Sequence, residues 1–288
     1  AHSISVPGPE VERLRTAARD HGIVVSMGIS ERGPASVGCL WNSNLLIGAG
    51  GEILNHHRKL VPTFYEKLVW ANGDGEGLRV SDTPVGRIGM LICGENTNPL
   101  ARYTLIAQGE QVHISSYPPV WPTREPGEKG RYDLASAIRI RAGAHSFEGK
   151  VFNVVASAFL DRGALDALED LDAAALRTLR ESPRGVSMMI GPSGEVIGDT
   201  LCEEEGLLYR DIDLADCVEP KQFHDIVGYY NRFDIFELNV RRRRSRPIAF
   251  EDSVEAAAEP GDSHGREKDS DRDAHLPKDD AARLYRAV

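Results

Sequence analysis

Long hydrophobic runs and an excess of basic charge are both absent from this 288-residue sequence. No apolar run approaches the roughly 20 residues that a membrane-spanning helix needs, which argues against insertion into a membrane. The formal net charge is −10 at pH 7, and an acidic chain is poorly suited to non-specific binding of nucleic acid. We therefore expect neither a membrane nor a nucleic acid as a partner.

Cysteine is also scarce, and its spacing is uninformative about metals. The four cysteines are Cys39, Cys93, Cys202 and Cys217, and no two of them are spaced like paired metal ligands. No signal-peptide pattern is visible, so the cysteines are typical of a reduced, cytoplasmic protein. We predict no metal site and no cofactor.

What the sequence does contain is enough apolar residues for a sizeable core, 41% of the chain. Apolar strand patterns separated by helical patterns predict an α/β fold with buried sheets. After residue 240 the composition changes, since residues 241–288 hold 11 basic and 11 acidic residues and few large apolar ones. We predict a folded domain at residues 1–240 and a charged, disordered tail at residues 241–288.

The most informative stretch runs from a predicted strand to a predicted helix. Residues 87–92 are mostly apolar and indicate a buried strand, and a helical pattern begins near Asn98 with Pro99 in its first turn. Cys93 lies between them. A thiol at this position faces the N-terminus of a helix, where the unpaired N–H groups favour the thiolate. A further strand at residues 112–116 would complete a βαβ unit.

The remaining elements follow from the same patterns. Predicted helices cover residues 9–21, 132–149 and 164–181, and predicted strands cover residues 23–29, 44–48, 52–55, 151–158 and 207–212. The helix at residues 132–149 is predicted to turn Leu134, Ile138 and Ala142 inward. A second hairpin is expected around residues 188–197, because its sequence is similar to that of the hairpin at residues 44–55.

Two segments resemble the nitrilase branch of the carbon–nitrogen hydrolase superfamily. The first is His-His-Arg-Lys-Leu-Val-Pro-Thr-Phe-Tyr-Glu-Lys at residues 56–67, and the second is Cys-Gly-Glu-Asn at residues 93–96. The resemblance covers roughly residues 5–240. It implies that Cys93 is the nucleophile, that Lys59 stabilises developing negative charge, and that Glu66 holds Lys59 and a water molecule.

The resemblance also implies a fold and an assembly. The family fold is an α-β-β-α sandwich, and its members associate into dimers and larger spirals. The family's general-base glutamate precedes everything seen here, and neither Glu10 nor Glu12 has the Phe-Pro-Glu context of that residue. We therefore expect this sandwich to be incomplete at its N-terminus.

The predicted reaction is hydrolysis of a small-molecule nitrile to a carboxylic acid and ammonia, through a thioimidate and a thioester on Cys93. The backbone N–H of Gly94 is a candidate oxyanion donor. His113, Tyr117 and Trp121 could line the substrate pocket, although Trp121 could equally serve only to pack its loop. Amidase activity, cyanide hydration and a non-catalytic role as an assembly subunit remain open alternatives.

Overall fold

Two β-sheets form the framework of the chain. The computed structural model describes residues 2–125, 127–130, 132–168, 170, 172–244 and 248. The smaller sheet contains β1 (Val25–Arg32), β2 (Leu40–Ile47) and β3 (Ile53–Arg58), all antiparallel. The larger sheet contains, in spatial order, β4 (Ser81–Thr83), β5 (Gly86–Ile92), β6 (Val112–Tyr117), β7 (Phe152–Ser157), β8 (Ser187–Ile190) and β9 (Val196–Leu201). Its three central strands, β5 to β7, run parallel, and the outer pairs are antiparallel.

Helices cover the sheets. They are α1 (Pro9–His21), α2 (Pro99–Ile106), α3 (Leu134–Gly149), α4 (Arg162–Asp166) and α5 (Ala173–Glu181). In the described part of the chain, no helix has the length and hydrophobicity required to span a membrane.

The two sheets pack face to face because β2 is apolar on both of its sides. Leu46 points toward the larger sheet and packs with Ile88 and Met90 of β5. Its neighbours Leu45 and Ile47 point the opposite way, as alternation along a strand requires, and pack with α1. The smaller sheet is therefore enclosed between α1 and the larger sheet.

The outer face of the larger sheet is covered by α2 and α3. Leu91 of β5 packs with Leu105 of α2, and the predicted inward residues of α3, Ile138 among them, are buried in a cluster that includes Cys93. The layers therefore follow the order helix, sheet, sheet, helix. The predicted α/β class is confirmed, as are the helices at residues 9–21 and 132–149 to within two residues.

Two predicted elements differ from the structure. The single helix predicted at residues 164–181 is two helices, because Asp172 starts a new one by accepting a hydrogen bond from the Ala175 N–H at 2.9 Å. The strand predicted at residues 207–212 is not a strand. Its large side chains Leu207 and Tyr209 are mostly exposed, so the apolar pattern there does not report burial in a sheet.

Of the tail predicted at residues 241–288, the structure describes residues 241–244 and 248, and the rest lies outside the described residues. The first four arginines of that segment are described, and Arg244 is not simply solvated. It forms an ion pair with Glu76 at 2.9 Å and donates to the carbonyl of His56 at 2.9 Å. The boundary at residue 240 stays a prediction.

Candidate active site

Cys93 occupies a strained position between β5 and α2. It opens a short 3-10 turn, Cys93–Thr97, and its φ of 72° lies in the left-handed region that side chains other than glycine rarely adopt. Strain of this kind persists only where the surrounding structure enforces it, and it is concentrated at functional sites. The residue is 8% exposed, so its thiol lies at the inner end of the turn and is almost shielded from solvent.

Lys59 and Glu66 form a buried ion pair that originates from the other sheet. Lys59 directly follows β3, and its Nζ, which has no exposed surface, donates to Glu66 Oε2 at 2.5 Å. The same carboxylate oxygen accepts from the Thr63 N–H at 2.6 Å, which fixes the turn that carries Glu66. The lysine therefore comes from the smaller sheet and the cysteine from the larger one.

Burial dominates the electrostatics of the thiol. It raises the pKa of Cys93 above the ordinary value, while the positive charge of Lys59 acts to lower the pKa and Glu66 acts to raise it. The position before a helix predicts a lowered thiol pKa, but burial shifts the pKa of Cys93 in the opposite direction. The desolvation that accompanies 8% exposure outweighs the charge of Lys59 and the hydrogen bond from the Gly94 N–H.

Glu95 joins the two loops that carry the site. Its Oε1 accepts from the Ile92 N–H and from His57 Nε2, both at 2.6 Å, and its Oε2 accepts from the Leu60 N–H at 2.9 Å. Burial by itself raises the pKa of Glu95, but His57 and the backbone hydrogen bonds outweigh it and hold the pKa below the ordinary value. A charged carboxylate here connects the end of β3 to the end of β5.

Tyr117 and Trp121 border the cysteine. Both pack in the cluster that contains Cys93, and Trp121 also stacks on Tyr65 with ring centroids 4.6 Å apart. Burial raises the pKa of Tyr65 to about 12, with the charges of Glu66 and Cys93 acting in the same direction. The rings therefore form an aromatic wall within electrostatic range of the thiol, in agreement with the expected neighbourhood of Tyr117 and Trp121.

Gly94 lies where a side chain would collide with the opposite loop. A Cβ on Gly94 would come within 2.9 Å of Thr63 Oγ1, so the glycine permits the close approach of the two loops. A cavity of about 460 Å³ adjoins this contact and is bordered by both residues, but Cys93 and Trp121 do not line it. The cavity therefore lies beside the Gly94–Thr63 contact and is not lined by the thiol.

His113 is placed away from any surface that a substrate could reach. Its side chain has no exposed area, its Nδ1 faces Glu110 at 2.7 Å, and its Nε2 faces Asn96 at 2.9 Å. This histidine, expected beside Tyr117 and Trp121, belongs to a buried polar cluster on the far side of Asn96.

Glu10 and Glu12 are not part of the site, since both are exposed on α1.

One residue near the thiol is missing from the predicted set. Arg141 of α3 donates from Nε to Thr97 Oγ1 at 2.6 Å and from Nη2 to the hydroxyl of Tyr132 at 2.5 Å, and its charge lowers the pKa of Cys93. Among the described residues, no carboxylate lies within ion-pair distance of it. The only sequence signal was its place next to the inward-facing Ala142, which is too weak to identify a site residue.

Comparisons with known proteins show the family of this chain. The sequence profile of the family described as carbon-nitrogen hydrolase matches residues 1–222. A nitrilase from Penicillium rubens is 33% identical over 257 residues, covering 88% of this chain and 76% of that protein. An aliphatic nitrilase from Rhodococcus rhodochrous is 36% identical over 250 residues, covering 86% of this chain and 66% of that protein.

Solved structures share the fold at lower identity. A carbon-nitrogen hydrolase from Helicobacter pylori G27 aligns with a TM-score of 0.58 and 21% identity, covering 74% of this chain and 70% of that one. Saccharomyces cerevisiae Nit3, described as a member of branch 10 of the nitrilase superfamily, aligns with a TM-score of 0.59 and 17% identity, covering 80% of this chain and 72% of that one. At these identities the likeness concerns the fold alone.

Proposed function

Because the chain belongs to the carbon–nitrogen hydrolase family, we propose that it hydrolyses a small nitrile to the carboxylic acid and ammonia. The observation that carries this proposal is the strained Cys93 within the electrostatic range of a buried Lys59–Glu66 pair. A thiolate is the strong nucleophile that a nitrile carbon requires, and a buried cation stabilises charge more effectively than an exposed one. The names of the two nitrilase relatives support the choice of substrate class.

In the proposed reaction, the sulfur of Cys93 attacks the nitrile carbon and negative charge develops on the nitrogen. Lys59 and the N–H of Gly94 stabilise that charge, and protonation of the nitrogen gives the thioimidate. Addition of one water gives a tetrahedral adduct, which expels ammonia and leaves a thioester. A second water releases the acid and restores the thiol, so two waters are consumed for each nitrile. Glu66 holds Lys59 in place and orients the water.

The aromatic wall suits an apolar substituent on the nitrile. Tyr117 and Trp121 both pack against the cluster that contains Cys93, and the stacking of Tyr65 on Trp121 holds one of the two rings in place. In this proposal Tyr117 and Trp121 contact the substrate, whereas the enclosed His113 does not.

The test is ammonia release from aliphatic and aromatic nitriles by the full chain, with mass spectrometry of the trapped protein. We expect a covalent adduct on Cys93, and we expect Cys93→Ala to abolish both the adduct and the ammonia while remaining folded. Cys217→Ala is the matched control, since Cys217 is also buried but lies away from the site. Retained turnover in Cys93→Ala would remove the assignment of the nucleophile.

The same assay separates the alternatives. Ammonia from amides but not from nitriles would favour an amidase, and formamide from cyanide would favour a cyanide-hydrating enzyme. Absence of any adduct and any turnover in a correctly folded, assembled protein would favour the non-catalytic assembly subunit.

We also propose self-association into dimers and larger spirals. The support is an exposed aromatic patch near the end of the described chain, formed by Tyr229, Tyr230, Phe233 and Phe236, each 68–72% exposed. Single subunits rarely leave large contiguous apolar surfaces in water. Light scattering should show an assembly that becomes smaller in Phe233→Glu and not in the control Lys129→Glu, an exposed site elsewhere. A monomeric wild-type protein would contradict the proposal.

A further inference from the structure

A buried polar cluster lies behind the Cys93 turn and has no part in the chemistry proposed above. It consists of Glu110, His113 and His145, whose side chains have no exposed surface. Glu110 Oε1 lies 2.7 Å from His113 Nδ1, and Glu110 Oε2 lies 2.7 Å from His145 Nε2. One carboxylate therefore bridges two histidines in the interior of the sandwich.

The three residues are of metal-binding types, but their arrangement is that of a hydrogen-bonded network. Ligands at about 2.0–2.1 Å around one tetrahedral ion lie more than 3 Å from one another, whereas both contacts here measure 2.7 Å. The two imidazole rings also stack, with centroids 3.8 Å apart, instead of converging edge-on upon a common point. The geometry is therefore that of two histidine nitrogens that form hydrogen bonds with the Glu110 carboxylate.

The hydrogen bonds fix the orientation of Asn96 and of His113. The Asn96 Nδ2 donates to the Cys93 carbonyl at 3.1 Å, so the Asn96 Oδ1 must be the atom that faces His113 Nε2 at 2.9 Å. Because an amide oxygen can only accept, His113 Nε2 is the donor in this contact. Burial alone would raise the pKa of Glu110, but His113 and His145 lower it to about 2, in keeping with a carboxylate. The His113 ring is therefore held between the carboxylate of Glu110 and the amide of Asn96.

The Glu110–His113 pair acts on the nucleophile through Asn96. The carbonyl of Cys93 and the N–H of Gly94 belong to one planar peptide group, so holding the carbonyl also orients the N–H. That N–H is the proposed oxyanion donor, and it follows a residue in the strained left-handed region. A peptide in such a region needs external support to keep its orientation.

We propose that Glu110, His113 and Asn96 form a positioning relay that fixes the Cys93–Gly94 peptide for catalysis. Glu110 keeps the His113 ring oriented, His113 fixes the amide of Asn96, and Asn96 holds the Cys93 carbonyl. Ser115 Oγ lies 3.2 Å from the Asn96 Oδ1 and 3.0 Å from the Asn153 Oδ1, so its one hydroxyl hydrogen is shared between the two amides. The inference rests on the proposed role of Cys93, and none of the three residues touches the substrate.

The decisive variant is Asn96→Asp, which preserves the size and the acceptor toward His113 but replaces the donor to Cys93 with an oxygen. We expect kcat to fall about 100-fold, comparable to the loss of one oxyanion donor, with KM changed less than about twofold. The matched control is Asn55→Asp, because Asn55 is also buried and donates to backbone carbonyls, those of Gly77 and Arg79. Its kcat per folded molecule should equal that of the wild type.

A wild-type kcat in folded Asn96→Asp would overturn the relay. If that variant does not fold, the wild-type protein supplies the test through nitrogen NMR of labelled histidine at pH 7. Nε2 of His113 should carry hydrogen, because it donates to the Asn96 oxygen, and an Nε2 without hydrogen would overturn the proposal. Failure of the proposed function can be told apart from failure of the relay, because the wild-type protein would then form no adduct on Cys93.

Discussion

At the scale of single residues, the enclosure of Lys59 restricts which side chains can replace it. Its ammonium group is fully enclosed and directed at Glu66 Oε2, 2.5 Å away. Arginine keeps the charge but has a larger, planar head group that this enclosure cannot accept in the same place. We expect Lys59→Arg to lose about 100-fold in kcat/KM, roughly 3 kcal/mol of transition-state stabilisation. Steady-state kinetics should show near-normal rates for Lys67→Arg, an exposed lysine of the same loop, and equal rates for both variants would contradict the role of Lys59.

Arg141 supplies a second positive charge that acts on the thiol. Arg58, Arg102 and Arg244 each have a carboxylate partner, whereas no such partner occurs for Arg141 in the described chain. Its charge lowers the pKa of Cys93, so Arg141→Gln should raise that pKa and slow alkylation of the thiol by iodoacetamide at neutral pH.

The pH dependence of the alkylation rate measures this effect. Arg139→Gln is the control, because Arg139 is exposed on the same helix. An unchanged profile in Arg141→Gln would show that the guanidinium has no influence on the nucleophile.

At the scale of elements, the start of α2 links helix stability to the catalytic turn. The Asn98 side chain accepts from the N–H groups of Leu100 at 2.9 Å and Ala101 at 3.4 Å, directly after the turn that begins at Cys93. Removal of such a cap costs about 1 kcal/mol. Denaturant unfolding of Asn98→Ala should show this loss, while Asn98→Ser, which retains a cap, should recover most of it. Equal stability of the two variants would contradict the capping role.

At the scale of the whole molecule, the buried cluster makes stability depend on pH. Burial lowers the pKa of His145 to about 4, and the pKa of an unfolded histidine is about 6.5. Between these values the unfolded chain binds a proton that the folded chain does not. The contribution of His145 is therefore fully present above about pH 6.5 and is lost as the pH falls toward 4.

Glu110 extends the loss of folding stability to lower pH. The pKa of Glu110 is lowered to about 2, so its contribution is present above the unfolded value and disappears as the pH falls through about 2. One proton corresponds to a slope of about 1.4 kcal/mol per pH unit, and His145→Gln should reduce the slope between pH 4 and 6.5 by an amount of this order. Urea unfolding across that range measures the slope, and an identical slope in the variant would contradict the assignment.

Several features of this protein are determined by local sequence. The strand at residues 87–92, the cap at Asn98 and the inward face of α3 follow from apolar periodicity and capping chemistry, which depend only on neighbouring residues. Resemblance of short motifs similarly identifies Cys93, Lys59 and Glu66 as a set. The structure brings Lys59 and Glu66 into contact and places Lys59 within electrostatic range of Cys93.

Other features were decided only by the tertiary structure. Periodicity places His113 on a strand but does not reveal that Glu110, Asn96 and His145 surround it, because Asn96 comes from the turn after β5 and His145 comes from α3. The thiol pKa depends on the burial of Cys93 and on the charges of Lys59 and Arg141, which come from other elements. Burial and long-range charge are properties of packed layers, so the direction in which the thiol pKa shifts could not be predicted from the local sequence.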